Sequence, residues 1–387
     1  MSFRYLTAGE SHGQALVGII EGIPSGLAID LETLHAQGRR RKLGFGRGNR
    51  QNIETDEVRI LAGVRRGKTI GSPIALMIEN KDHQRWAEIM RTDAPPDDAP
   101  AARQVHVPRP GHADRIGGIK YERDDMRDVL ERASARETAM RVALGTVARA
   151  MLAEIGVTLA SRVVRIGRAV DATSWNGAAI DEIDASPVRA TDAEAAAAMV
   201  REIEDARANG DALGGVFEVV AEHVPVALGS YVQWDRRLEG AVAQAFMSLN
   251  AIKGVEIGLG FGAAERRGSE AHDAYEPDPE TKTRYRSNRA GGIEGGMTTG
   301  QPIVVRVGMK PIATLMKPLD SVDLRTGEAV KAHIERADTC AVPAAAVIGE
   351  SLLALVLAEA VLEKFGGDSI GELVERVRSW ETTARGR

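Results

Sequence analysis

Apolar residues along the chain fall into two rhythms, one helical and one of short runs. SARETAMRVALGTVARAMLAEIG, from Ser134 to Gly156, opens with Ser134 and Glu137 in capping-box spacing and closes on Gly156. TDAEAAAAMVREIEDARANG repeats this with Thr191, Glu194 and a terminal Asn209-Gly210. DRRLEGAVAQAFMSLNAIKG (235–254) follows Asp235, and PAAAVIGESLLALVLAEAVLEKFGG starts at Pro343, suited to a first helical turn, and stops at Gly366. Between these lie β-like runs at 15–22, 58–64, 73–80, 216–224 and 302–309. Strands and helices alternate without a regular βαβ rhythm, which predicts an α+β fold rather than a doubly wound sheet. Two polar, proline-punctuated stretches, 91–104 and 270–292, are expected to be long loops. No repeat or glycine–serine linker divides the chain, so one domain over 1–387 is expected.

Composition narrows the class. Hydrophobic content of 43%, charged content of 27% and a net charge of −5 describe an ordinary globular protein. That charge argues against a nucleic-acid binder. The single cysteine, Cys340, excludes an internal disulfide and a cysteine-based metal site, and no metal is expected. The start MSFRYLTAGESHG has no apolar run resembling a signal peptide, and LLALVLAEAVL (352–362), interrupted by Glu359, is too short to span a bilayer. A cytoplasmic protein is expected.

Against this acidic background, RRRKLGFGRGNR (39–50) gathers Arg39, Arg40, Arg41, Lys42, Arg47 and Arg50 around glycines with no acid among them. Arginine's planar fork suits phosphate and carboxylate, so an anionic ligand is expected. GVRRGKT (63–69) imitates a phosphate-binding P-loop, but only three residues separate its glycines where that motif needs four. TAGESHG (7–13) sets His12 among small residues, where it is either structural or catalytic. VPRPGHADRIGG (107–118) holds His112 on a rigid turn beside Arg109, Asp114 and Arg115: a surface turn, or a loop that presents a proton donor. LERASARE (130–137) places Arg132 and Arg136 at a helix start, either as an anion site or as solvent-facing side chains of an ordinary cap. NRAGGIEGGMTTGQP (288–302) is glycine-rich enough for backbone to approach a flat ligand, MKPIATLMKP offers Lys310 and Thr314, and ERADTCAVPAA offers Arg336 and Asp338.

Taken in order, GESHG, RRRKLGFGRG, RPGHAD, ERASARET, NRAGGIEGGM, KPIATL and RADTCAVPAA resemble the chorismate synthase family across residues 9–345. The resemblance implies a βαβ sandwich with helices packed between antiparallel sheets, assembled as a homotetramer. It implies trans 1,4-elimination of phosphate from 5-enolpyruvylshikimate 3-phosphate, requiring reduced FMN without net redox change. Carried over by motif, His12 would protonate the leaving phosphate, His112 would support the reduced flavin, and Asp338 would help relay the proton from the substrate ring. Arg41, Arg47, Arg109 and Arg336 match substrate-pocket arginines, and Arg41 and Arg47 also match NADPH-contacting positions. Arg132, Ala133, Ser134, Asn250, Ala251, Gly295, Lys310, Pro311, Ile312, Ala313, Thr314 and Arg336 match flavin-binding positions. The chain departs from the family pattern at Ala313, Ala337 and Arg115, none of them a proposed catalytic group. An external flavin reductase is the expected partner where NADPH does not serve directly. A flavin-independent phosphate lyase or phosphatase is the rival, and it leaves the 291–300 loop without a ligand to accommodate.

Overall fold

The computed structural model describes residues 3–48, 53–94, 103–175, 177, 179–335 and 337–385. Two antiparallel sheets form its outer layers. The first contains β1 (Arg4–Ala8), β2 (Ala15–Glu21), β3 (Val58–Ala62) and β4 (Ile74–Glu79), ordered β1-β2-β4-β3. The second contains β5 (Thr158–Ile166), β6 (Ala169–Val170), β7 (Gly215–Glu222), β8 (Ile252–Ile257) and β9 (Ile303–Met309), ordered β8-β9-β7-β5-β6. The principal helices are α1 (Leu31–Lys42), α2 (Asp114–Tyr121), α3 (Arg127–Arg132), α4 (Thr138–Ala153), α5 (Ala193–Ala208), α6 (Leu238–Met247), α7 (Val342–Phe365) and α8 (Ile370–Arg385).

Helix α4 packs on β2 and β4 and, across its other side, on α7, which in turn packs on β5 and β7. The layers therefore run sheet, helix, helix, sheet, as the α+β expectation and the implied sandwich required. Position in those layers dictates each pattern. Strand β2 buries only alternate residues, among them Leu16 and Ile20, whereas α7 is buried almost all round because protein surrounds it. At 24 residues, with a mean hydropathy of 2.0 over its most apolar window, α7 is long and apolar enough by composition to cross a membrane. Yet 94% of that window lies inside the protein. The 352–362 run is the middle of this longer helix, and Glu359 faces outward without breaking it.

Several expected ends are corrected locally. Ser134 caps only a 3₁₀ turn (Ala135–Glu137), accepting from Arg136 N at 3.3 Å, and Glu137 turns to Arg141 at 2.9 Å instead of back to the cap. Asp192, not Thr191, caps α5 by accepting from Ala195 N at 2.7 Å. Helix α6 stops at Met247, and Ala251, at φ +65°, turns the chain straight into β8, whose first three residues the sequence had assigned to the helix. Strand β5 went unread because its middle is buried continuously, without alternation. The expected loop at 270–292 contains a hairpin, Tyr275–Asp278 against Lys282–Tyr285. Of the other, 91–104, residues 95–102 lie outside the described residues. GVRRGKT is a two-residue hairpin turn, with Arg66 and Gly67 at φ +51° and +74°, so it is no P-loop.

Candidate active site

The arginine cluster is sorted by the end of α1. Arg39 stays on the surface with Glu32, while Arg40 turns into the interior to Asp184 (2.6 Å) and Glu350 (2.7 Å). Lys42 donates to Glu54 O at 2.6 Å, and Arg50 lies outside the described residues. Among the described residues of the cluster, Arg41 and Arg47 reach the large cavity that both halves of the sandwich line. The intervening glycines serve chain packing: at Gly44 (φ +117°) a Cβ would meet Pro343 at 2.7 Å, and at Gly46 (φ +94°) it would meet Cys340 at 3.2 Å. Basic segment and α7 start are thereby pressed together.

That cavity is about 530 Å³. Its described lining carries six cationic side chains, Arg41, Arg47, Arg109, Arg136, Lys253 and Lys310, against three carboxylates, Glu54, Glu335 and Asp338. Two helix starts open onto it. One is the Ser134–Thr138 turn leading into α4; the other is α7, whose cap, Ala341, has no side chain to satisfy the first-turn amides. Amide dipoles and guanidinium groups thus face one space, an arrangement suited to a small polyanion.

His12 follows β1 on the tight turn before β2 and is buried on three sides. Its Nδ1 lies 2.9 Å from Glu131 Oε1, its backbone N–H donates to Glu131 Oε2 at 2.8 Å, and its ring stacks on Trp86 with centroids 4.0 Å apart. His112 caps the other wall, where Nδ1–H donates to Asp114 Oδ1 at 2.5 Å. Asp114 also accepts from Arg109 Nε at 2.8 Å and from Arg109 N at 3.1 Å. Burial alone would raise the Asp114 pKa, but hydrogen bonds from His112 and Arg109, with the arginine's charge, hold it well below the carboxylate range. Arg109 Nη1 reaches on to Thr314 Oγ1 at 3.0 Å, tying the GHAD turn to the 310–314 segment.

Deeper in, Arg41 and Arg136 share one carboxylate. Arg41 Nη2 donates to Asp56 Oδ2 at 2.6 Å, and Arg136 Nη1 takes Asp56 Oδ1 while its Nη2 reaches Glu54 at 3.2 Å. Arg136 is therefore a buried member of the site, not the solvent-facing alternative. Burial opposes ionisation of Asp56, but the charges of Arg41 and Arg136 prevail and lower its pKa.

The remaining expected residues divide. Ala133, Ser134, Asn250, Ala251, Lys310, Ile312, Ala313, Thr314, Ala337 and Asp338 line the same cavity. Pro311 is not in the lining, and Arg132 instead donates to the carbonyls of Gly9 (3.1 Å) and Thr7 (3.0 Å). Gly295 sits in the turn of a separate hairpin, Ile293–Glu294 with Met297–Thr298, and the whole 288–302 stretch stays out of the lining. Its glycines let chain meet chain, since a Cβ on Gly291 would fall 2.3 Å from Gly258 N. Arg336 lies outside the described residues, and Arg115 is exposed on α2. Sequence reasoning missed Glu131, Trp86, Glu54 and Glu335. Glu131 and Glu335 lie inside LERASARE and ERADTCAVPAA, where the arginines drew the reading, and Glu54 and Trp86 stand in unremarkable runs.

A flavin is a fair occupant on this structure's own terms. Asn250 Oδ1 and Arg47 Nε are buried without hydrogen-bond partners, one acceptor and one donor, while Leu249, Ile312, Ala313 and Ile348 give the same cavity flat apolar wall.

Fold and site together suit an enzyme for a small polyanion, with two carboxylate-held histidines on the wall of a cationic cavity. Comparison with known proteins narrows this. The family described as Chorismate synthase matches residues 3–362. Chorismate synthase 1 of Bacillus thuringiensis is 51% identical over 389 residues, covering 99% of this chain and all of the relative. The Geobacillus thermodenitrificans chorismate synthase is 52% identical over 384 residues, covering 97% and 99%. A crystal structure of chorismate synthase superposes with a TM-score of 0.79 at 40% identity, covering 100% of this chain and 99% of the other. The chain belongs to the chorismate synthase family. It is a carbon–oxygen lyase of aromatic amino acid biosynthesis that eliminates phosphate from 5-enolpyruvylshikimate 3-phosphate to give chorismate, and the family in general requires a reduced flavin.

Proposed function

We propose that the cavity binds 5-enolpyruvylshikimate 3-phosphate beside reduced FMN, and that His12, His112 and Asp338 move the protons of the elimination. The observation that carries this is the convergence of six cations, two helix starts and both histidines on one cavity. In the reaction a ring C–H bond and the C–O bond to phosphate break, a new double bond forms, and phosphate leaves with the C–O electron pair. Bound reduced flavin supplies the electron density that lets this trans elimination proceed stepwise.

The chain's own groups do the rest. Arg41, Arg47 and Arg109 hold the carboxylates and phosphate, with Arg336 a fourth from the family pattern. Guanidinium groups already aligned by Asp56, Asp338 and Asp114 need little reorganisation when the substrate arrives. His12 protonates the departing phosphate, His112 donates toward the flavin, and Asp338 passes on the ring proton. Ala133, Ser134, Asn250, Ala251, Lys310, Ile312, Ala313 and Thr314, which line the cavity, serve the flavin there, whereas Arg132, Pro311 and Gly295 match the family pattern but stand outside that lining. Ala313 offers no hydroxyl there, so Thr314, already bonded to Arg109, is the side-chain hydroxyl of that segment.

NADPH at Arg41 and Arg47 is one reductant; a separate flavin reductase is the other. A homotetramer in the cytoplasm completes the reading, supported by family likeness. An anaerobic assay of phosphate release with oxidised or dithionite-reduced FMN tests it. Release only with reduced flavin supports it, and repeating the assay with NADPH decides the reductant. Release regardless of flavin state favours the phosphatase-like alternative.

A further inference from the structure

His12 is held more completely than a proton donor at a pocket mouth needs to be. Both oxygens of Glu131 engage it: Oε1 lies 2.9 Å from Nδ1, and Oε2 lies 3.0 Å from Nδ1 and accepts from His12 N at 2.8 Å. Glu131 sits in α3 with no exposed side-chain surface, so no solvent competes for those bonds. Arg127, one turn earlier on α3, donates to Glu131 Oε1 at 3.2 Å, and its guanidinium lies 4.9 Å from the Trp86 ring. Trp86 carries Arg103 at 4.4 Å as well and stacks on the His12 imidazole at an interplanar angle of 22°. Backbone reinforces the joint: Ser11 N donates to Glu131 O at 2.9 Å, and His83 Nδ1 lies 2.9 Å from His12 O.

We propose that Glu131 is a positioning residue: it fixes His12 as the Nδ1–H form, with Arg127 and Trp86 locking the pair, so that Nε2 alone is left for the leaving phosphate. The chemistry follows from donor counting. A carboxylate has only acceptors, so a ring nitrogen 2.9 Å from it must carry the proton. The nearest carboxylate to Nε2 is Asp82 Oδ2 at 4.0 Å, beyond hydrogen-bond reach. Once Nε2 has also taken up a proton, the doubly protonated ring gives that proton to phosphate oxygen, and the imidazole that remains is again the Nδ1–H tautomer, which Glu131 already accepts, so no ring flip is needed. Arg127 balances the Glu131 charge and keeps the carboxylate ionised. Burial would push its pKa up, but hydrogen bonding and charge from His12, and the charge of Arg127, bring it below the ordinary value. His112 is held on a related plan, with Asp114 Oδ1 on Nδ1, but there Arg109 contacts both Asp114 and, through Nη2 at 3.0 Å, the same ring nitrogen.

The inference rests on His12 acting on the phosphate, so its test has one readout that does not involve turnover. Glu131→Gln preserves shape but leaves a single acceptor oxygen for the His12 amide, His12 Nδ1 and Arg127. The His12 ring should then lose its fixed tautomer, seen as converging ¹⁵N shifts of its two ring nitrogens, with the signal identified by its loss in His12→Ala. Turnover with reduced flavin should fall about 10²-fold with substrate KM little changed. Glu131→Asp, which keeps both acceptors, should restore roughly a tenth or more of the rate. An unchanged tautomer in folded Glu131→Gln overturns the positioning role. So do equal losses in both variants accompanied by a rise in KM, which mark a merely structural residue. A changed tautomer with full turnover leaves the positioning geometry standing and overturns the assignment of His12 to the phosphate.

Discussion

Arg47 and Asp338 meet at 2.6 Å on the cavity wall, an ion pair joining the segment after α1 to the segment before α7. Gly48 N donates to the other Asp338 oxygen at 2.7 Å, so both oxygens are engaged from one side. Burial lowers the Arg47 pKa and the charge of Asp338 opposes that effect. A guanidinium is thereby kept charged in a partly desolvated wall before any anion arrives.

Asp338→Asn should show what that pair sustains. Removing one partner leaves Arg47 uncompensated, at a cost of about 3 kcal/mol, the low end for buried pairs because Asp338 keeps 17% of its side-chain surface. Urea unfolding should register the loss, and inorganic phosphate should restore more stability to the variant than it adds to the parent. Equal phosphate effects on the two proteins would remove Arg47 from the anion site.

His12→Ala and His112→Ala should each keep the fold and lose about 10²–10⁴-fold in turnover with reduced FMN supplied. His112 is only partly buried, so a near-parental melting curve is expected for His112→Ala; His12→Ala leaves the buried Glu131 carboxylate without its histidine partner and should melt lower while staying folded. Near-normal rates in both would end the acid–base assignment.

How much of this was legible follows from where the information sits. Pro343 and Gly366 bracket α7 because helix ends are set by local backbone chemistry, and the sequence marks both. His12 and His112 stood out because glycine and proline surround them. Glu131 and Trp86 did not, since their importance comes from contacts 119 and 74 residues away, created only when α3 and the 81–86 turn fold beside β1. The arginine cluster misled in part: Arg40 looked like an anion ligand and is instead an internal counter-ion for Glu350. Ala251 was carried over by motif without a chemical reason, and its φ of +65° supplies one, since it turns α6 into β8 on the cavity wall.

Glu350 should dominate part of the acid limb of stability. It is buried in α7, bonded to Arg40 (2.7 Å), Arg149 (2.7 Å) and Ser161 (2.7 Å), with Arg189 at 3.4 Å. Burial would raise its pKa, yet the arginine charges bring it to about 2. A depressed carboxylate contributes stability above its unfolded pKa, about 4.3, and loses that contribution as pH falls toward the folded value. Stability should therefore drop between roughly pH 5 and 2. Glu350→Gln should be less stable at neutral pH but show a shallower drop, and a limb as steep as the parent's would assign it to other carboxylates.

Asn250 offers the cleanest test of where flavin binds. Its Nδ2 donates to Ala133 O at 2.9 Å, which fixes the amide and leaves Oδ1 buried on the cavity wall with no donor. A buried orphan acceptor is a standing cost that a ligand N–H removes on binding. Truncation to alanine deletes that cost together with one hydrogen bond, so the melting temperature of Asn250→Ala should stay near the parental value. Flavin affinity should weaken about 3–10-fold, the worth of one hydrogen bond, in an anaerobic titration that follows flavin absorbance. Phosphate-ester substrate affinity, measured without flavin, should not move. If instead substrate binding weakens and flavin binding holds, the carbonyl of Asn250 faces the substrate, and the flavin lies nearer the Lys310–Thr314 wall.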